Sequence, residues 1–185
     1  MGVSGTNFTL ANDALSVLKS HHMWAQLEIS TRNYPQLGRH FALGVETDFM
    51  LSTRKLLPTY SASIADAPDY TPTPSANNAF YPQFRANSYL AAGLVPVYKY
   101  NSNISARVGA YAFMPLRAIL LNPVDGSPRY GRWFRDPQFR AEAVVSYKFP
   151  FATLSGYANY ATVGGDRWHV GITFGIFLLP PRFLR

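Results

Sequence analysis

Along most of the chain apolar and polar positions alternate one for one. Over residues 40–52 one set reads Phe41, Leu43, Val45, Thr47, Phe49 and Leu51, and the other His40, Ala42, Gly44, Glu46, Asp48, Met50 and Ser52. Period two sends successive side chains to opposite faces of an extended strand, so the run predicts a strand, and a long one. Residues 136–149 repeat it, with Phe139, Ala141, Ala143, Val145, Tyr147 and Phe149 opposing Gln138, Arg140, Glu142, Val144, Ser146 and Lys148. Residues 167–178 set Trp168, Val170, Ile172, Phe174, Ile176 and Leu178 against Arg167, His169, Gly171, Thr173, Gly175 and Phe177. Weaker alternation predicts four more strands over residues 23–32, 86–99, 103–116 and 151–162, and residues 3–10 offer a poorly alternating eighth.

The connections between these runs also have a pattern. Those near residues 33–39, 101–102 and 150 are short, and those near 53–85 and 117–135 are long. The stretch 163–166 is short where a long connection is due. Tight turns at one end and long loops at the other are how outer-membrane barrels distribute periplasmic and extracellular connections.

Composition narrows the solvent. Charged residues make up only 15% of the 185, against roughly a quarter in soluble domains, while aromatics reach 15%. Rings cluster near predicted strand ends, as at Trp24, Tyr98, Tyr100, Trp133, Tyr147, Phe151 and Trp168, where interfacial girdles sit. Lys or Arg on a lipid-facing position costs about 2–4 kcal/mol at mid-bilayer. Glu46, Asp48, Arg107, Arg140 and Glu142 all fall on the polar face of their strands, which predicts a lumen charge network. The expectation is an all-β fold, an antiparallel transmembrane β-barrel with about seven or eight strands in this chain. A soluble β-barrel lipid carrier, with its apolar face turned inward, is the reading this one must displace.

Other classes fall away on chemistry. The net charge of +7 is scattered, with no basic block or recognition-helix pattern, so no nucleic acid is expected. No cysteine is present, which excludes disulfides and thiolate metal sites. His21, His22, His40 and His169 lack zinc-motif spacing, and no metal or cofactor is expected. The apolar stretch 170–181 is too short for a transmembrane helix. Residues 1–10 do not read as a signal peptide, so Met1 is not expected to begin the full exported precursor.

Several segments carry a family resemblance. MWAQLE at 23–28, LPTYSASIADAPDYTPTP at 57–74, RANSYLAAG at 85–93, YAFMPL at 111–116 and WHVGITFGIFL at 168–178 resemble the C-terminal barrel of patatin-like phospholipases of the Bacteroidota type. The resemblance runs through nearly the whole chain from Met23 onward and rests on the order and spacing of these segments. It implies a barrel of the bacterial surface antigen superfamily, preceded in the full protein by a patatin hydrolase and a small periplasmic domain that this chain lacks. It also implies that His169, Gly171, Phe174 and Ile176 in the last strand form the signal read by the barrel-assembly machinery. The tail at residues 179–185 departs from barrels that end on the aromatic itself.

No hydrolase chemistry transfers. Patatins need GxSxG at a strand-to-helix elbow, and GVSGT at residues 2–6 has Gly5 directly after Ser4. Asp125-Gly126 matches the second half of the dyad only in letters, and NPVDGSPRYG reads as a turn. Glu46 and Asp48 could be paired acids, but inward charges of a barrel wall already require partners, and the network accounts for them. His40 and His169 are expected to face inward as hydrogen-bonding groups. The Pro- and Ala-rich tract 57–82 is expected to be an ordered loop, packed on itself or folded into the lumen.

The chain is therefore expected to be no enzyme itself. It would anchor or present a lipid acyl hydrolase in the bacterial outer membrane. Its partners would be outer-membrane lipids, lipopolysaccharide and the assembly machinery, with homodimerisation left open. The alternative is a self-contained small outer-membrane barrel with a structural, adhesive or lipid-A-modifying role.

Overall fold

A computed structural model of the chain describes residues 5–13, 22–73, 76, 80–164 and 167–176. Strands β1 (Gly5–Asp13), β2 (His22–Asn33), β3 (Phe41–Ser52), β4 (Tyr89–Lys99) and β5 (Ile104–Pro115) come first. The short strands β6 (Arg117–Leu121) and β7 (Pro128–Trp133) follow, then β8 (Gln138–Lys148), β9 (Ala152–Ala161) and β10 (Trp168–Ile176). Eight of them make one sheet in the order β1-β2-β3-β4-β5-β8-β9-β10, every neighbouring pair antiparallel. β1 and β10 are its edges, and among the described residues no pairing joins them.

All seven strands expected from alternation are present, within one to three residues of their expected bounds where those are described. The eighth is β1, which starts inside the stretch expected at residues 3–10 and runs on to Asp13. Residues 3 and 4, the end of the last run at 177–178, and the tail 179–185 lie outside the described residues. Residues 34–40, 100–103 and 149–151 connect strands at one end of the sheet, and 53–88, 116–137 and 162–167 at the other. Tight and long connections alternate except at 162–167, which is shorter than 34–40 yet lies at the long-loop end, the exception expected from sequence; residues 165–166 are not described.

The two faces are inverted relative to a water-soluble sheet. On β3, Phe41 and Val45 are 39% and 40% exposed, while Glu46 and Asp48 are 4% and 8% exposed. Register carries the inversion across the sheet. Val45 pairs with Leu94 of β4, and Ala106 of β5 with Val145 of β8, all with the apolar members on the open face. The opposite face carries Glu46, Gly93, Tyr111 and Arg140 in one row. A soluble antiparallel sheet would cover the first set and wet the second.

What covers the polar face is the connection 53–88. It begins with helix α1 (Tyr60–Asp66), capped by the Thr59 side chain accepting from the Ala62 amide at 3.3 Å. The helix stops at Ala67 because Pro68 disfavours helical backbone in the residue before it. The chain then lays Tyr70 and Phe84 on the sheet. Tyr70 stacks on Phe113 at 5.7 Å, and Phe84 and Tyr89 meet the same ring at 5.7 and 5.0 Å. Phe84 and Phe113 are fully buried, and each contributes about 1.5–3 kcal/mol by leaving water. The expected ordered loop is therefore folded onto the polar face, with a helical turn that the Pro-rich composition hid.

The second long connection differs from expectation. Instead of a plain loop at residues 117–135, β6 and β7 form a two-stranded hairpin at the long-loop end, against which α1 packs through Ile64, Ala67 and Ile119. Its turn is the Asp125-Gly126 pair. Gly126 has φ 71°, and the Asp125 carboxylate accepts from the Ser127 amide and hydroxyl at 3.0 and 2.7 Å. Those bonds hold the Asp125 carboxyl below the usual carboxylate range.

Close packing on the covered face depends on glycines beside tyrosines. A Cβ on Gly93 would lie 2.5 Å from the ring of Tyr111, and one on Gly109 equally close to its far edge. Gly93→Val should therefore lower stability by about 1–3 kcal/mol through overpacking. Gly156→Val, where a Cβ meets nothing within 4 Å, should stay within about 0.5 kcal/mol. Urea unfolding in lipid vesicles reads both, and equal midpoints would contradict the packing described.

Candidate functional site

The five inward charges sit on three strands. Glu46 and Asp48 belong to β3, Arg107 to β5, and Arg140 and Glu142 to β8. Adjacent strands bring Arg107 and Glu142 together, with Nη2 donating to Oε1 at 2.7 Å, and Glu142 is almost fully buried. Such a pair contributes structural order more than net stability, because both charges lose water. The other two ion pairs among the described residues involve none of the five.

Glu46 takes a different partner from the cations expected. Its Oε1 accepts from the hydroxyl of Tyr34, which folds back from the turn after β2 over Gly44. The reason is distance. β3 and β8 are three strand spacings apart, about 14 Å, too far for a direct Glu46–Arg140 contact. Arg140 is covered by rings instead, its guanidinium 4.5 Å from the Phe84 centroid and 5.2 Å from Tyr81, while its buried Nη1 has no hydrogen-bond partner among the described residues. Asp48 enters none of the three ion pairs among the described residues; the other two, Arg54–Asp66 and Arg85–Asp69, tie down the covering loop.

Toward the turn end the covered face is left hollow. Arg107, Glu142, Ser146 and Ser155, together with Val97 and Val144, line a half-open cavity of about 300 Å³. Ser146 and Ser155 share a 2.8 Å hydrogen bond across β8 and β9. The site therefore has two zones, an aromatic plug at the loop end and a half-open chamber of mixed polar and apolar lining at the turn end.

The histidines separate. His169 faces the covered side, its Nε2 2.7 Å from the Tyr81 hydroxyl in a hydrogen bond whose donor is set by the imidazole tautomer. His40 departs from the inward expectation. It is exposed at the turn end, 6.3 Å from open-face Tyr98, with Nδ1 donating to the Lys99 carbonyl at 2.8 Å. The loop residue before β3 bends out to make that bond. Of the proposed assembly signal, His169 and Gly171 point to the covered side, where Tyr157 lies over Gly171. Phe174 and Ile176 stand on the open face, both more than half exposed along the unpaired edge of the sheet.

Tyr34, Tyr81 and Tyr157 were not singled out by sequence. The signal that could have found Tyr111 and Tyr157 is a glycine directly opposite a tyrosine on the neighbouring strand, as at Gly93↔Tyr111 and Gly171↔Tyr157. No group of three or more His, Cys, Asp or Glu side chains suited to a metal ion occurs among the described residues, and no described helix is long and apolar enough to cross a membrane. Compared with family models, curated proteins and solved structures, the chain matches none of them.

Proposed function

We propose that this chain is the strand-rich part of an outer-membrane β-barrel that anchors or presents a lipid acyl hydrolase lying outside it, in a protein of the patatin-like phospholipase type. The observation that carries the membrane half is the inverted sheet, with apolar side chains bare on one face and charges buried on the other. In water that arrangement exposes Phe41, Val45, Leu94 and Val145 for no gain; against lipid it is the low-energy one. It also disfavours a soluble carrier. The hydrolase half rests on the resemblance of the quoted segments alone.

A second reading is favoured by the strand count. Eight consecutive antiparallel neighbours are enough to close a small barrel with a side-chain-filled interior. That would be a self-contained structural, adhesive or lipid-A-modifying protein. The backbone groups on the outer edges of β1 and β10 need partners in lipid under either reading, from each other or from further strands.

Immunoblotting of native outer membranes with an antibody to the connection 53–88 separates these. We expect a band far above 20.6 kDa, a larger polypeptide carrying the hydrolase. A heat-modifiable band at that mass would favour the small barrel. Recovery of the protein in the soluble fraction would remove both.

A further inference from the structure

We propose that the cleft between residues 51–56 and the β6–β7 hairpin binds the phosphate-bearing headgroup of an anionic glycolipid in the outer leaflet; this deepens, and rests on, the outer-membrane reading. The cleft measures about 410 Å³ and opens at the long-loop end of the sheet. Its walls are pinned by a buried side chain. Asn87 donates to the Arg54 carbonyl at 3.0 Å and to the Tyr130 hydroxyl at 2.8 Å, and that hydroxyl donates to the same carbonyl at 3.2 Å. The hairpin is thereby fixed to the segment leaving β3, and the opening between them is a feature of the fold rather than a gap between loose loops.

Of the three cations lining it, Arg54 is paired with Asp66, and Lys55 and Arg117 enter no ion pair among the described residues. Arg117 lies between Tyr130 and Trp133, its guanidinium 4.6 and 5.5 Å from the two ring centroids. Among the described residues its hydrogen bonding is one long contact, Nε to the Gly131 carbonyl at 3.4 Å, which leaves both terminal nitrogens to a ligand. Lys55 is exposed beside it. The loop acids nearby do not neutralise these cations, because Asp66 and Asp69 are held by Arg54 and Arg85 at 2.6 and 2.9 Å. Asp125 is at the far tip of the hairpin, bonded to Ser127. A planar guanidinium placed between aromatic rings suits a tetrahedral phosphate, which takes two parallel N–H donors.

The apolar rim selects the source of the phosphate. Leu51 on the open face and Leu116 line the same cleft, and the Trp133 ring is largely exposed beside it. A free anion gains nothing from these groups. An amphiphile gains from both, with its headgroup on Arg117 and Lys55 and its first methylenes on the leucines.

The test uses the full chain folded in detergent micelles, titrated with diphosphorylated lipid A and read by tryptophan fluorescence. Arg117→Gln/Lys55→Gln should weaken binding by about tenfold or more, the loss expected for two charge-assisted contacts. Arg39→Gln/Lys148→Gln removes the same charge from exposed positions at the turn end and should change affinity less than about twofold. Dephosphorylated lipid A should bind weakly and equally to all three proteins, and inorganic phosphate should not compete. Equal loss in both double variants, or competition by inorganic phosphate, would overturn the site. Heat-modifiable migration checks folding; if the double variant fails it, Arg117→Lys, which keeps the charge and loses the fork, should still weaken binding. A chain absent from the outer membrane would sink the underlying reading while leaving this binding result legible.

Discussion

Val145→Arg is expected to block stable insertion of the folded sheet, and Ser146→Arg is expected to be tolerated. The two positions are one residue apart and point opposite ways. Val145 stands 60% exposed among the apolar side chains of the open face. Under the proposed membrane reading an arginine there meets hydrocarbon and costs about 2–4 kcal/mol at mid-bilayer, a large share of a marginal stability. Ser146 instead lines the half-open cavity, beside Ser155 and within the set that includes Glu142. An arginine there has a cavity of about 300 Å³ to occupy on the face away from the apolar side chains. Outer-membrane fractionation with heat-modifiable migration reads both variants. A soluble sheet predicts a different result, since a surface Val→Arg in water changes stability by no more than about 0.5 kcal/mol. Equal behaviour of the two variants would therefore count against the facing of β8 and against the membrane together.

The contrast shows why so much of the sheet was readable in advance. Period two is a property of each strand by itself, so β3, β8 and β10 could be placed, and their faces assigned, without knowing what they pair with. The long-range features were hidden for the complementary reason. Whether Arg107 meets Glu142 or Glu46 depends on strand order, and alternation is silent on order. Adjacent β5 and β8 make the first pair, while β4 and β5 stand between Glu46 and Arg140. The plug was half legible. Tyrosines and prolines with few charges at residues 57–82 point to packing, but nothing local says that Tyr70 and Phe84 find Phe113. The hairpin β6–β7 went unread because strands of five and six residues give too few alternations to stand out beside a turn-rich stretch.

Phe84→Ala should have the second large effect, because it strikes the joint between the plug and the sheet. Phe84 is 1% exposed and touches three things at once, the Phe113 ring at 5.7 Å, the Tyr81 ring at 6.2 Å and the Arg140 guanidinium at 4.5 Å. Truncation leaves a cavity and strips one of the two rings facing a mostly buried cation, so about 3–5 kcal/mol should be lost. Phe80→Ala in the same connection is the comparison. Phe80 is largely exposed and, among the described residues, stacks on Arg85 alone, and its loss should cost no more than about 1 kcal/mol. Two readouts are needed, because a plug can loosen without the sheet unfolding. Protease cleavage within residues 53–88 reports the first, and the urea midpoint in lipid vesicles the second. Both should move in Phe84→Ala, since Arg140 belongs to β8 and loses its cover with the ring. Cleavage that stays at the wild-type rate would mean that Phe84 does not hold the plug. A midpoint that stays while cleavage rises would make the plug a separate unit resting on the sheet, with Arg140 satisfied by other groups once it opens.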